Sequence, residues 1–134
     1  MMFYRQEDVA IQIDSHKDKV PMTTGNLLIN GQIFKCASGG WGDGIGYSGP
    51  IVAGIYAVSP AIRLPDIAKN QAYRGEKFPW FSRLTPLFKT AHTGYLIHPK
   101  GKYLGTFGCI EASERDVELF EILSKIKSET LKVI

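Results

Sequence analysis

The residues best suited to chemistry in this 134-residue chain are His98 and Cys109, which stand eleven positions apart. A thiol is an effective nucleophile only as the thiolate, and a neighbouring imidazole can take its proton and later return it to a leaving group. His98 ends the apolar run from Tyr95 to Ile97, and Cys109 follows a glycine-rich turn, so two adjacent strands can bring them face to face. The pair predicts acyl transfer through a thioester.

Gly108, directly before the cysteine, favours the same interpretation. Glycine adopts backbone angles closed to other residues, which lets N–H groups around Cys109 point at a developing oxyanion. The alternative is a buried structural cysteine and a loop histidine that never meet.

This segment resembles the signature of L,D-transpeptidase (YkuD-like) catalytic domains, in which a His is followed by a variable stretch, then Ser or Thr, one residue and Gly-Cys. The matching positions are His98, Thr106, Gly108 and Cys109. The interval from His to Cys is shorter than in typical members and is similar to that of a compact branch among type VI secretion effectors that attack peptidoglycan.

An upstream segment is similar to the same branch. Small residues at 36–40 are followed by Gly49-Pro50 and then by Gly54-Ile55-Tyr56 before an apolar run. Together the two segments span residues 34 to 112. A related family common in phage-like genes shares Ile-His-Pro-x-Gly and Gly-Cys-Ile, which leaves the biological setting open.

The resemblance implies that Cys109 attacks the carbonyl at the L-centre of diaminopimelate in a peptidoglycan tetrapeptide stem and expels D-alanine. His98 acts as base and then as acid, with a backbone carbonyl orienting its ring. Thr106 and the N–H groups around Gly108 and Cys109 line the oxyanion site. Water then gives L,D-carboxypeptidase activity, whereas an amine gives exchange or a cross-link, and the sequence leaves both open. No cofactor is implied.

One position departs from the family pattern. Many members carry Arg two residues after the cysteine, where this chain has Glu111. The role of that Arg in substrate binding is therefore unassigned. Candidate substrate-binding residues are Arg83, Lys100, Lys102, His92, and Tyr47 in the glycine-rich stretch 38–50.

Composition and charge set bounds on other functions. A chain of this length with 44% hydrophobic residues suits one domain, residues 1–134. Its net charge of +3, spread without a basic run, gives little support for nucleic-acid binding. No apolar run is long enough to span a bilayer, and no His or Cys spacing predicts a metal site. Cys36 is expected to be a buried hydrophobe, the alternative being a redox latch with Cys109.

The first residues lack the features of a signal peptide, so we expect synthesis in the cytoplasm and delivery to the periplasm of a target cell by a dedicated system. The partners expected by analogy are the peptidoglycan stem, secretion-system components and an immunity protein. The alternatives are a non-catalytic phage or secretion-system module, and a thiol protease or amidase with another substrate.

The pattern of short apolar runs predicts a mainly β domain with a C-terminal α-helix, an L,D-transpeptidase-like β-sandwich or barrel. Asn30-Gly31 between apolar runs predicts a hairpin. Residues 60–94 are expected to form a long irregular lid or wall beside the site, the alternative being that their aromatic side chains fill the core. A helix is predicted over about 114–127, with Ser113 and Asp116 as a capping box, and Leu131 to Ile134 as a final edge strand.

Overall fold

The chain forms nine strands, one α-helix and one 3₁₀ helix within the residues that the structure describes. This computed structural model describes residues 1–13, 19–40, 49–90, 93–101, 106 and 108–134, without the side chains of 12 and 13. The strands are β1 (Met2–Ile13), β2 (Lys19–Ile29), β3 (Gln32–Gly39), β4 (Gly54–Val58), β5 (Ile62–Arg63), β6 (Trp80–Pro86), β7 (Tyr95–Pro99), β8 (Ile110–Ala112) and β9 (Glu129–Val133). The helices are the 3₁₀ helix Ala68–Tyr73 and α1 (Asp116–Ser124).

Eight of these strands close into a barrel. Their order is β4-β9-β1-β2-β3-β8-β7-β6, and β6 pairs back onto β4, while β5 adds to β6. Closure leaves the eight strands without a free edge. The expected mainly β domain with a C-terminal helix is therefore confirmed at this level. The final strand is not an edge, because β9 lies between β4 and β1.

The barrel interior is filled by the inward side chains of alternating strand positions. The largest fully buried side chains include Trp80, Tyr4, Tyr56, Tyr95 and Phe34. Leu119 and Leu123 of α1 join the same cluster. Burying each leucine stabilises the fold by about 1.5–3 kcal/mol, which ties the helix to the sheet. No helix in the described part of the chain is long and apolar enough to cross a membrane.

The predicted hairpin is confirmed. Strands β2 and β3 pair in antiparallel register up to Ile29 and Gln32, which leaves Asn30 and Gly31 as a two-residue loop. Both loop residues have positive φ, 50° and 73°. That geometry matches the type I′ turn, whose twist suits the flanking strands.

The expected irregular segment over residues 60–94 is only partly irregular. It contains the 3₁₀ helix and also β6, a central barrel strand between β4 and β7. β6 escaped prediction because its inward positions include Ser82, whereas the aromatic Phe81 points outward. A polar inward residue and an apolar outward one hide the two-residue period.

The C-terminal helix forms, but its predicted capping box is wrong. α1 begins at Asp116 after Arg115, which adopts a left-handed φ of 54°, and the side chain of this N-cap residue makes no capping hydrogen bond to the helix backbone. Asp116 instead accepts a hydrogen bond from the Trp80 indole N–H at 3.2 Å. A buried indole N–H needs an acceptor, so the Asp116 carboxylate bonds to Trp80 instead of capping the helix.

Candidate functional site

Parallel pairing of β7 with β8 places His98 and Cys109 on the same face of the barrel wall. The register pairs Ile97 with Ile110 and His98 with Glu111. Ile97 and Ile110 are fully buried in the core, so the alternate residues His98, Cys109 and Glu111 face the outer side. Cys109 directly precedes β8, and the same register sets it opposite Leu96, two residues before His98 on β7.

His98 is buried and held in one orientation. Its exposed fraction is 6%, and its Nδ1 lies 2.7 Å from the Pro99 carbonyl oxygen. Burial lowers the pKa of His98 to about 4, while the Pro99 carbonyl opposes that shift. The ring is therefore neutral at pH 7, with Nδ1–H donating to Pro99 and Nε2 left as an acceptor. This tautomer is the one that a general base requires.

Cys109 is also buried and is a thiol at neutral pH. Burial raises its pKa to about 11; the Leu96 backbone N–H lowers it and the charge of Glu111 raises it further. Its Sγ lies 3.9 Å from the Gly94 carbonyl oxygen. Among the described residues, the thiol hydrogen bond is made to Gly94 and not to His98. The site therefore holds a neutral thiol and a neutral imidazole, not an ion pair.

The backbone carbonyl of Cys109 is fixed by two buried hydroxyls. Ser38 Oγ donates to the Cys109 carbonyl at 2.7 Å, and Thr106 Oγ1 donates to it at 2.8 Å. Thr106 Oγ1 also accepts the Gly39 N–H at 3.0 Å, and the Thr106 N–H donates to the Gly39 carbonyl at 2.8 Å. Two segments distant in sequence, residues 38–39 and 106–109, are thereby joined behind the cysteine.

This geometry corrects the expected role of Thr106. Its one hydroxyl proton and its backbone N–H are both used inside the protein, so neither can donate to an oxyanion. Thr106 positions the Cys109 loop instead, together with Ser38. The signal for Ser38 is present in the small-residue segment at 36–40, but only pairing of β3 with β8 shows its partner.

Gly108 has a φ of 100°, in the region that favours glycine. The expectation that the position before Cys109 needs unusual backbone angles is confirmed. The oxyanion role of the N–H groups around it stays a prediction.

Tyr73 covers the site and is missed by sequence reasoning. Its ring meets that of His98 edge to face, with centroids 5.3 Å apart and planes at 74°. Burial raises the pKa of Tyr73, and the charge of Cys109 raises it further. Tyr73 ends the 3₁₀ helix within the predicted lid region, so that helix is the part of the region beside the site.

Glu111 is the unexpected member of the site. It is 4% exposed, pairs with His98 across β7 and β8, and its Oε2 is buried with no hydrogen-bond partner within the described structure. Burial raises its pKa to about 7, and the charge of Lys100 opposes that shift. A buried carboxyl without partners costs several kcal/mol when ionised, so it favours the protonated form.

The other candidate substrate-binding residues differ in placement. Lys100 is exposed and lies near enough to Glu111 for its charge to affect that carboxyl. Arg83 is exposed on β6, paired with Leu96, and its guanidinium carbon lies 5.8 Å from the Phe81 ring centroid. The structure thus brings both cations to the outer side of the site. The remaining candidates, Tyr47, His92 and Lys102, lie outside the described residues.

Cys36 belongs to the barrel core and not to this site. It is 2% exposed within the hydrophobic cluster, and both cysteines are free. Cys36 faces the barrel interior whereas Cys109 faces outward, so a disulfide between them would require one of the strands to rotate about its axis. Within the described residues, no group of three His, Cys, Asp or Glu side chains is arranged to hold a metal ion.

No family model matches the chain, and no curated protein or solved structure matches it either. The likeness to L,D-transpeptidases therefore remains a hypothesis based on the two sequence motifs.

Proposed function

We propose that this protein is a cysteine acyl-transfer enzyme that acts on peptidoglycan tetrapeptide stems, as an L,D-carboxypeptidase, an L,D-transpeptidase or both. The observation that carries the proposal is the neutral, oriented imidazole of His98 on the same outer face as Cys109, two residues along the paired strands from it. The motifs shared with L,D-transpeptidases supply the substrate class.

In this proposal the thiol leaves the Gly94 carbonyl and donates to Nε2 of His98 as its sulfur attacks the stem carbonyl. The S–H bond breaks, a C–S bond forms, and the imidazolium returns the proton to the departing D-alanine amine. Because the resting thiol pKa is about 11, deprotonation accompanies attack and does not precede it. A base with a pKa of about 4 stays unprotonated over most of the pH range, so activity falls only as the pH approaches 4.

Access to the nucleophile requires a movement. Cys109 is 9% exposed and His98 is 6% exposed, with the ring of Tyr73 packed against the imidazole. The half-buried Tyr73 at the end of the 3₁₀ helix is the contact that a stem peptide displaces on entry. This gives the lid region a specific role, which is exclusion of water from the resting thiol.

A second candidate function is a non-catalytic binding module on the same scaffold. The observation that favours it is the raised pKa of Cys109, because catalytic cysteines commonly have depressed values. A thiol with no more than ordinary reactivity suits a structural residue. Substrate turnover separates the two candidates directly.

The proposed biological setting is that of an antibacterial effector delivered into the periplasm of a target cell. Its partners would be the peptidoglycan stem, a secretion system and an immunity protein that blocks the site. These proposals rest on the motif resemblance alone.

The test is mass spectrometry of tetrapeptide muropeptides incubated with reduced protein. The variants are wild type, Cys109→Ala, and Cys36→Ala as a matched control that keeps the outer thiol. We expect wild type and Cys36→Ala to remove D-alanine or exchange it for an added D-amino acid, and Cys109→Ala to do neither. Folded wild type that leaves every muropeptide unchanged would refute the proposal and favour the binding module. Cleavage elsewhere in the stem would indicate a thiol protease or amidase.

A further inference from the structure

Glu111 has a position that the thiol–imidazole pair does not use. It shares the outer face with Cys109, two residues before it, and with His98, its register partner on β7. The two-residue spacing of Cys109 and Glu111 puts both side chains on one face of the strand, and the charge of Glu111 raises the pKa of Cys109. Strand geometry thus places a third titratable side chain beside the sulfur that becomes acylated.

The carboxyl group of Glu111 is buried in the barrel wall, and no described residue forms a hydrogen bond with its Oε2. Only 4% of the Glu111 surface is exposed. None of the ion pairs among the described residues includes it. A buried carboxylate oxygen without a donor is a position that accepts an ammonium N–H.

From this we infer that Glu111 is the general base of the second half-reaction: it binds the ammonium of an incoming amine acceptor, takes one proton, and directs the acyl group to the amine rather than to water. The inference rests on the proposed function, because it requires an acyl group on Cys109. The ammonium N–H bond breaks, the carboxylate becomes a carboxyl, and the free amine attacks the thioester carbonyl. The C–S bond then breaks as the C–N bond forms; the second amine proton passes to Nε2 of His98 and from there to the departing thiolate, and the Glu111 carboxyl releases its proton to solvent.

The surroundings suit this exchange of a proton. A base is most effective when its pKa lies near the working pH, and burial raises the pKa of Glu111 to about 7. The ionisable groups that interact with it or adjoin it are His98 and Lys100 on the β7 side, Cys109 before β8, Cys36 on β3 and Tyr4 on β1. At pH 7 His98 is neutral, so among these described groups only Lys100 is a cation that competes with an ammonium.

The experiment measures how acylated Cys109 partitions between D-alanine and water. Cys109 is loaded from the thiobenzyl ester of N-acetylglycine, and in parallel from tetrapeptide muropeptides. The variants are wild type, Glu111→Gln, and Glu114→Gln, a control at an exposed position nearby. At pH 7 we expect the ratio of amide to acid to fall about 100-fold in Glu111→Gln, the scale of a lost general base, and to stay unchanged in the control.

The pH dependence gives a second readout that does not depend on the variant's stability. With Glu111 as base, wild-type aminolysis levels off above about pH 7, because the carboxylate and the ammonium are then both present. Without such a base it climbs about tenfold per pH unit with the free amine. A climbing wild-type profile, or the same ratio in wild type and Glu111→Gln, refutes the inference. Loading by the thioester but not by muropeptides refutes the proposed substrate while still testing Glu111. Failure of both donors to load wild type overturns both proposals.

Discussion

Replacement of Glu111 by glutamine is the change whose pH-dependent effect on stability is best defined by the structure. Burial raises the pKa of Glu111 from 4.5 to about 7, so the folded protein binds this proton more tightly than the unfolded chain does. The stability carried by the protonated carboxyl is fully present below pH 4.5 and is lost as the pH rises through about 7. At about 1.4 kcal/mol per unit, the loss is roughly 3 kcal/mol.

Glutamine has nearly the same shape and no charge, so Glu111→Gln removes this loss. Any penalty from burying the amide is the same at every pH. We therefore compare the unfolding free energies of wild type and Glu111→Gln at each pH. Between pH 4 and pH 8 the variant should gain roughly 3 kcal/mol relative to wild type.

His98 makes the unfolding free energy depend on pH in the opposite direction. Burial lowers its pKa from 6.5 to about 4, so its contribution is present above pH 6.5 and is lost as the pH falls through about 4. The two terms are similar in size and nearly cancel in wild type, whose stability should vary little with pH across this window. Glu111→Gln leaves the histidine term alone, and the variant should become more stable as the pH rises from 4 to 6.5.

The assay is urea unfolding at several pH values between 4 and 8, followed by tryptophan fluorescence, since Trp80 is fully buried. Glu114→Gln, at an exposed position, serves as the control and should track wild type. A difference between wild type and Glu111→Gln that does not change with pH would show that the carboxyl is not desolvated as the structure indicates.

Three further predictions concern the surroundings of the nucleophile. Ser38→Ala and Thr106→Val each remove a hydroxyl that donates to the Cys109 carbonyl and accepts a backbone N–H, of Ile51 and Gly39 respectively, so each should lower the unfolding free energy by about 2 kcal/mol. The double variant should lose more than the sum in urea unfolding, because that buried carbonyl then lacks both donors; simple additivity would count against a shared role. Tyr73→Ala should expose the site to water and lower the pKa of Cys109, so alkylation of Cys109 by iodoacetamide should speed up about tenfold for each unit by which the Cys109 pKa falls. Tyr73→Phe keeps the covering ring and should show no such gain. Gly108→Ala should cost about 1–3 kcal/mol in thermal unfolding, since φ is 100° there, and an unchanged melting temperature would contradict that strain.

Features that depend on a few consecutive residues are readable from the sequence. Asn30-Gly31 specifies its turn because both residues tolerate positive φ, and Gly108 has the positive φ that its place before the cysteine suggests. The helix after the cysteine is found from its apolar spacing, although it is shorter than predicted. In each case the conformation depends on neighbouring residues in the chain, because the energy of one turn or one backbone angle decides it.

Features that depend on which strands become neighbours require the tertiary structure. β6 is hidden because Ser82 points inward, and Asp116 leaves its predicted capping role because the buried indole of Trp80 needs an acceptor. β9 is a barrel strand and not an edge, since β4 and β1 flank it on both sides. Each outcome is decided by partners far away in the chain.

The candidate site shows the same division. The sequence determines the residue types, an imidazole and a thiol eleven positions apart, and hence the kind of chemistry they can do. The tertiary structure decides that Ser38 and Thr106 fix the Cys109 carbonyl, that Tyr73 covers His98, and that Glu111 is buried with no described residue bonded to its Oε2. The physical reason is that protonation states and hydrogen-bond partners follow from desolvation and proximity, which exist only once the barrel has closed.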